Sequence, residues 1–189
     1  MAGRSDTVVK ARYSRGGQAA LKLTKEHLRY AVHRANEQGQ RQYREVWDRA
    51  GQIDKSAAYE RLDRVGPNDH IYRFTLSPHP ERQDAGKRLD LRSWTREMFG
   101  QLEQRTGQRL EWFAVTHEHR DHRHVHAVVV SARHLDAHQF QAMRETGDAN
   151  ARSQQREPRP GREHPRSRRQ PERDVATVTR TLRDRQVGA

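Results

Sequence analysis

The segment VTHEHRDHRHVHAV, residues 115–128, decides how this sequence is interpreted, because it combines two apolar flanks with a histidine-rich centre. The apolar flanks predict two strands of a β-hairpin joined by a polar loop. Side chains alternate along a strand, so His124 and His126 are expected on one face of the sheet. His117 ends the preceding strand and can lie across from them. Three imidazoles converging from adjacent strands predict a three-ligand metal site with open coordination positions.

Periodicities in the rest of the chain predict an α+β domain in which an antiparallel sheet carries helices. An alternating pattern predicts a strand from Val8 to Tyr13. Thr24 is the expected N-cap of a helix that reaches about Gly39. Strands are further expected over 71–76, 110–117 and 124–132. Apolar residues have helical spacing at 43–47 and over 58–65. A helix is expected over 91–102, stopping at Gly107, and a weak helix near 136–150.

The composition of the chain changes near residue 150. Residues 152–174 hold eight arginines, four prolines and four acidic residues, without an aliphatic or aromatic side chain. Such a segment cannot offset its ordering entropy by burial, which predicts disorder. Residues 1–150 are therefore expected to form the folded domain, and residues 151–189 an Arg/Pro-rich basic tail.

The charge balance indicates a polyanionic partner. The 189 residues carry 37 Lys and Arg against 25 Asp and Glu, a formal net charge of +12. Nucleic acid is favoured over a membrane surface, because no helix pairs a basic face with a large apolar one. The sequence has no cysteine, no signal-peptide pattern and no apolar run of membrane-spanning length. We expect a soluble, cytoplasmic protein without membrane insertion.

A metal site on a basic protein suggests phosphodiester chemistry, for which Tyr30 is the candidate nucleophile. No cysteine is present, and four of the five tyrosines follow apolar periodicities. Tyr30 instead lies opposite the apolar stripe of its helix, which contains Leu28, Ala31 and Val32. It shares its polar face with Arg34. The alternative is an ordinary surface tyrosine.

A second metal motif overlaps the first. His117, His119, Asp121 and His122 match the His-x-His-x-Asp-His pattern of metallo-β-lactamase-fold hydrolases. In those enzymes the motif lies on a loop that leads into a helix, whereas here it leads into an apolar strand. The chain is also short for the two sheets of that fold. The hydrolase motif is therefore the less favoured of the two predicted metal sites.

Taken in order, these motifs resemble the relaxase or mobilisation-nuclease family, the HUH endonucleases of conjugative plasmid transfer and T-DNA border cleavage. The pair His124-Val125-His126 matches the two histidines around a hydrophobic residue that name the HUH group. The helix motif His27-Leu28-Arg29-Tyr30 matches the nucleophile region. The strand Phe74-Thr75-Leu76-Ser77-Pro78 matches a strand whose terminal serine contacts DNA. The resemblance covers about residues 8–135.

The resemblance implies an HUH-type fold and a site- and strand-specific DNA nickase. Tyr30 would form a 5′-phosphotyrosine link, and His117, His124 and His126 would hold one divalent metal, Mn²⁺ or Mg²⁺, with Zn²⁺ or Ni²⁺ able to copurify. The expected partner is single-stranded DNA at a transfer origin, together with accessory relaxosome proteins. The expected DNA contacts are Ser77, Arg29, Arg34 and Arg123.

The sequence departs from the family pattern at two positions. The family has Asp where this chain has His119, and Pro where it has Arg123. The candidates for activating Tyr30 are consequently His119, Glu118 and Asp121. A DNA-binding accessory or relaxase remnant that no longer nicks DNA remains the alternative function.

Overall fold

A computed structural model describes residues 5–35, 38–40, 42–118 and 122–156, with four helices and six strands in these ranges. The strands are β1 Val8–Arg15, β2 Val46–Trp47, β3 Gln52–Ile53, β4 His70–Ser77, β5 Glu111–Glu118 and β6 Arg123–Ser131. The helices are α1 Gln18–His33, α2 Lys55–Asp63, α3 Leu91–Thr106 and α4 Ala137–Arg156, with a 3-10 turn at Ala85–Lys87 before α3.

The strands form one antiparallel sheet in the order β1-β4-β6-β5-β2-β3. The prediction of an α+β domain with an antiparallel sheet and helices is therefore confirmed. The hairpin β5–β6 lies inside the sheet, flanked by β4 on one side and by β2 on the other. This central position supports both strands of the hairpin through backbone hydrogen bonds.

Each face of the sheet packs against its own pair of helices. One face contributes Tyr72, Phe74 and Trp112 to a core shared with α3 and α4. The opposite face contributes Phe113 and Val128 to a smaller core with α1 and α2. The second core fills only part of its face, which leaves room for polar side chains beneath α1.

The ends of α1 differ from those predicted. The helix begins at Gln18, directly after Gly17, whose φ of 125° favours glycine. Thr24 lies inside the helix, where its hydroxyl donates to the Ala20 carbonyl at 2.7 Å. The predicted N-cap was wrong because a buried threonine can satisfy its hydroxyl within the helix. The helix ends at His33 rather than near Gly39.

Two other boundaries also differ from the predictions. Val46 and Trp47 form strand β2, so the helical spacing predicted at 43–47 was wrong. Helix α4 continues to Arg156, past the predicted start of a disordered segment at residue 152. Its last turn is held by Gln154, whose side chain exchanges two hydrogen bonds with the Asp90 backbone. The remainder of the predicted tail, residues 157–189, lies outside the described residues.

Helix α3 ends where the sequence predicts. Asp90 caps its start by accepting from the Arg92 and Ser93 amides, and Gly107 ends it in the left-handed conformation, with φ of 63°. Within the described ranges, no helix combines the length and the apolar character required to cross a membrane.

Candidate metal centre and adjacent pocket

The β5–β6 ladder brings three histidines to one face of the sheet. His117 pairs directly with His124, and Val115 pairs with His126. The three imidazole rings lie 4.6 to 5.1 Å apart, centroid to centroid. Each ring offers one nitrogen, and these three nitrogens lie within 4.8 Å of one another. The three side chains, called the His triad below, can together hold a metal ion.

Neighbouring groups orient two of these rings. His117 is fully buried, and its Nε2–H donates to the Ala31 carbonyl of α1 at 2.7 Å. His126 Nδ1 lies 3.5 Å from the Thr75 hydroxyl on β4. Outer hydrogen bonds of this kind commonly fix the tautomer and orientation of metal-ligating histidines. They leave Nδ1 of His117 and Nε2 of His126 as the natural ligand atoms.

The protonation state of His126 suits metal binding. Burial, followed by the charges of His117 and His124, lowers the pKa of His126 to about 3. The imidazole is therefore neutral at physiological pH, the form that coordinates metals. Its Nε2 is buried and has no hydrogen-bond partner among the described residues. The donor set fits a divalent transition metal, because neutral imidazoles favour such ions.

Tyr30 lies beside the triad rather than in the core. Its side chain is 53% exposed, on the side of α1 away from the buried Leu28 and Ala31. The Arg34 guanidinium lies 5.6 Å from the centre of the Tyr30 ring. Tyr30 and His126 both line one pocket of about 420 Å³ between α1 and the sheet. A predicted nucleophile and a predicted metal ligand thus share one cavity.

His27 lines the same pocket as Tyr30 and His126. It is one helical turn before Tyr30, and its ring centre is 5.4 Å from that of His126. Burial, and then the nearby Arg73 and Arg12, lower the pKa of His27. A neutral imidazole therefore lines the pocket that contains Tyr30 and His126.

The cations of this pocket were not predicted from the sequence. Lys10 and Arg12 project from β1, and Arg73 projects from β4, next to Thr75. They lie on the sheet face of the His triad, because residues two apart share a face. The alternation was visible in the sequence, where these residues separate the apolar positions of each strand. Polar residues at alternate positions are equally typical of a solvent-exposed strand face, so the pattern alone does not indicate a pocket.

The residues predicted to contact DNA differ in whether they lie near this pocket. Ser77 ends β4 on the same face as Thr75, in line with the triad. Arg34 contacts Tyr30. Arg29, in contrast, lines a separate groove of α1 with Lys25 and Tyr59.

Arg123 and Glu118 are not brought to the triad. They pair with each other at the end of the β5–β6 ladder, on the opposite face of the sheet. The buried Arg123 guanidinium donates to both carboxylate oxygens of Asp84 and to the Leu89 carbonyl. This hydrogen bonding to Asp84 raises the pKa of Arg123. The structure thus places Arg123 in an internal ion pair.

The overlapping hydrolase motif is only partly described. His119 and Asp121, also candidates for activating Tyr30, lie outside the described residues. His122 is exposed and stacks on His124 with ring centres 5.5 Å apart. In the described ranges, the His triad is the group of three or more histidine or carboxylate side chains placed to hold one ion.

Comparison of the chain with protein-family models, with curated proteins and with solved structures found no match.

Proposed function

We propose that this chain is a relaxase-like DNA nickase that acts on single-stranded DNA through Tyr30 and a divalent metal at the His triad. The observation that carries the proposal is the shared pocket of Tyr30 and His126. A nucleophile can attack a phosphate held by the triad only if both groups face the same cavity. The proposed setting is the cytoplasm, with DNA at a transfer origin and accessory relaxosome proteins as partners.

The proposed reaction is a transesterification. The Tyr30 oxygen forms a bond to phosphorus while the bond from phosphorus to the 3′ oxygen breaks. The phenol proton leaves to a base or to water, and the 3′ oxygen takes up a proton to give a free hydroxyl. The product is a 5′-phosphotyrosine, so the phosphodiester bond energy is retained for rejoining.

The chain's own residues contribute binding and orientation. His117, His124 and His126 would hold Mn²⁺ or Mg²⁺, and when bound this ion supplies Lewis-acid neutralisation of the phosphate charge. Three imidazoles also suit Zn²⁺ or Ni²⁺, which could copurify. Arg34, packed against the Tyr30 ring, would place a positive charge beside the tyrosine for contact with the phosphate backbone.

A covalent adduct is the decisive test. The wild-type protein, incubated with Mn²⁺ and a pool of 3′-labelled single-stranded oligonucleotides of randomised sequence, is expected to give a labelled protein band on a denaturing gel. The 3′ label is required because the 5′ phosphate of the downstream fragment stays on the protein. EDTA should abolish the band.

Tyrosine variants identify the nucleophile. Tyr30→Phe should lose the adduct and keep DNA binding. Tyr43→Phe is the matched control, because Tyr43 is 62% exposed but lies outside the pocket. An adduct that survives in Tyr30→Phe and disappears in Tyr43→Phe would show that the nucleophile is wrong. DNA binding without an adduct under all conditions would favour the non-nicking accessory.

A further inference from the structure

Two arginines lie side by side beneath α1. Arg12 on β1 pairs directly with Arg73 on β4, and Lys10 pairs with Thr75 one step along the same face. All four side chains line the pocket that contains Tyr30. The sheet therefore presents three cations, called the cation row below, in one cavity.

In the absence of a ligand, the cation row is expected to destabilise the folded protein. Like charges directly opposite one another in an antiparallel pair destabilise the sheet. Arg73 is half-buried, and its Nη2 donates to the Ser14 hydroxyl, a neutral partner, at 3.1 Å. Its Nε is buried without a hydrogen-bond partner in the described part of the chain. Burial, and then Arg12, lower the pKa of Arg73.

Within the described residues, no ion pair compensates the charge of the cation row. Glu26 is the carboxylate that lines the pocket, against three cations. In the described ranges, the ion pairs involve neither Glu26 nor any member of the cation row. Burying a donor of this kind without a partner is unfavourable, so an anionic ligand is expected to complete the site.

We infer that Lys10, Arg12 and Arg73 bind the phosphodiester backbone of single-stranded nucleic acid in the pocket beside Tyr30. This inference rests on the proposed function for the identity of the polymer, and it assigns the strand contacts to the cation row. Guanidinium groups match phosphate oxygens with two parallel donors. The backbone fits better than a single small anion, because a polymer offers successive phosphates to a row of cations.

The cation row also explains how a strand would reach the reacting groups. Thr75 lies opposite Lys10, and its hydroxyl oxygen is 3.5 Å from Nδ1 of His126. A backbone held by Lys10 and Arg12 would therefore pass next to the His triad and under Tyr30. The row positions the substrate, and Tyr30 and the triad carry the chemistry.

Binding measured without metal tests the inference apart from nicking. The full-length protein in EDTA is titrated into a fluorescent single-stranded DNA of mixed sequence, and anisotropy is followed over a range of salt concentrations. Arg73→Gln is expected to weaken binding about tenfold. The slope of log affinity against log salt should become shallower by about 0.7, the value for one lost phosphate contact on a single strand.

Arg105→Gln is the matched control, since it removes the same charge from an exposed position on α3, against the other face of the sheet. It is expected to change affinity less than twofold. Equal losses for Arg73→Gln and Arg105→Gln, or no loss for Arg73→Gln, would overturn the inference. Failure of the wild type to bind DNA would overturn it as well. A matched RNA strand shows which polymer binds more tightly, and Arg73→Gln should weaken both.

Thermal melting tests whether Arg73 instead has a structural role. Without DNA, Arg73→Gln should melt at or above the temperature of the wild type, because the repulsion from Arg12 is relieved. A clearly lower melting temperature would show that Arg73 serves the fold and would overturn the inference. Should Arg73→Gln not fold, Arg12→Gln carries the same comparison. If the wild type forms a covalent adduct but Arg73→Gln binds DNA as tightly as the wild type, only the assignment of the cation row is refuted. If Arg73→Gln binds DNA more weakly but the wild type forms no adduct, only the nickase proposal is refuted.

Discussion

At the scale of single residues, the low pKa of His126 makes stability depend on pH. The unfolded chain protonates this side chain near pH 6.5, whereas the folded chain keeps it neutral down to about pH 3. Stability therefore falls as the pH drops through that window, by about 1.4 kcal/mol per pH unit for this one group. Above pH 6.5 both states are neutral and the effect vanishes.

Urea unfolding in EDTA at pH 5, 6 and 7 checks this prediction. His126→Gln should flatten the pH profile, and His138→Gln, an exposed position on α4, should leave it unchanged. A profile of equal slope in wild type and His126→Gln would show that other groups control the acid sensitivity.

The identity of the metal ligands is also a question of single residues. His124→Ala with His126→Ala should abolish Mn²⁺ binding, because two of the three convergent nitrogens are lost. His119→Ala with His122→Ala should retain it, since exposed His122 stacks on His124 and is not one of the three convergent histidines. Calorimetric titration of Mn²⁺ into both variants is the measurement. The opposite pattern would favour the hydrolase motif.

The sequence was sufficient to predict the His triad but not the cation row. Spacing of two within an apolar strand fixes His124 and His126 on one face, and a hairpin places His117 nearby. Whether Arg12 lies opposite Arg73 depends on the register of two strands separated by more than fifty residues. Periodicity within one strand carries no information on that register.

At the scale of secondary-structure elements, packing of α4 against Thr7, which precedes β1, and against α3 requires a glycine. A Cβ at Gly147 of α4 would lie 2.7 Å from two Thr7 side-chain atoms and 3.1 Å from the Met98 sulfur. Gly147→Ala gains about 1 kcal/mol of helix propensity but should lose about 1–3 kcal/mol to overpacking. We expect net destabilisation in urea unfolding.

Gly100 provides the control for that prediction. It also lies inside a helix, α3, but a Cβ there would meet no atom within 4 Å. Gly100→Ala should therefore raise the free energy of unfolding by up to about 1 kcal/mol. Equal changes in the free energy of unfolding for Gly147→Ala and Gly100→Ala would show that the contact with Thr7 does not make a side chain at Gly147 unfavourable.

The ion pair between β6 and the segment before α3 should be a major stabilising link. Arg123→Met leaves the buried Asp84 carboxylate without its cation, a loss of about 3–5 kcal/mol. Asp84→Asn combined with Arg123→Met should recover part of that loss, and a double-mutant cycle in urea measures the coupling. A stable Arg123→Met variant with weakened DNA binding would instead support the contact predicted from sequence.

Elements were predictable where their periodicity was long. Strand β4 and helix α3 have eight and sixteen residues, and both were located. Strands β2 and β3 have two residues each, too few to show a period, so Trp47 was assigned to a helix. The partner of Arg123 lies 39 residues away, and no local pattern could indicate it.

At the scale of the whole molecule, the end of α4 sets where the chain can be shortened. Removing residues 157–189 deletes nine arginines and five acidic residues, and residues 157–174 contain no aliphatic or aromatic side chain that could add to a core. Stability should be unchanged, while DNA affinity falls and its salt dependence becomes shallower, by about 0.7 per lost phosphate contact. An unchanged salt slope would show that these arginines do not bind DNA.

A shorter truncation distinguishes the helix from the segment beyond it. Removing residues 152–189 also deletes Gln154 and Gln155, which bond to the backbone at Asp90 and at Arg82. This variant should melt at a lower temperature than the one ending at Arg156. Equal melting temperatures would show that the last turn of α4 contributes nothing to the fold.

Strand β1 forms one edge of the sheet, and this position gives its cations a second consequence. An exposed edge offers unpaired backbone groups to any other strand, and charged side chains are a common defence against such pairing. Lys10, Arg12 and Arg15 place three positive charges on this eight-residue edge. Variants that neutralise them should therefore self-associate more readily at high protein concentration, and light scattering should accompany every binding measurement made on them.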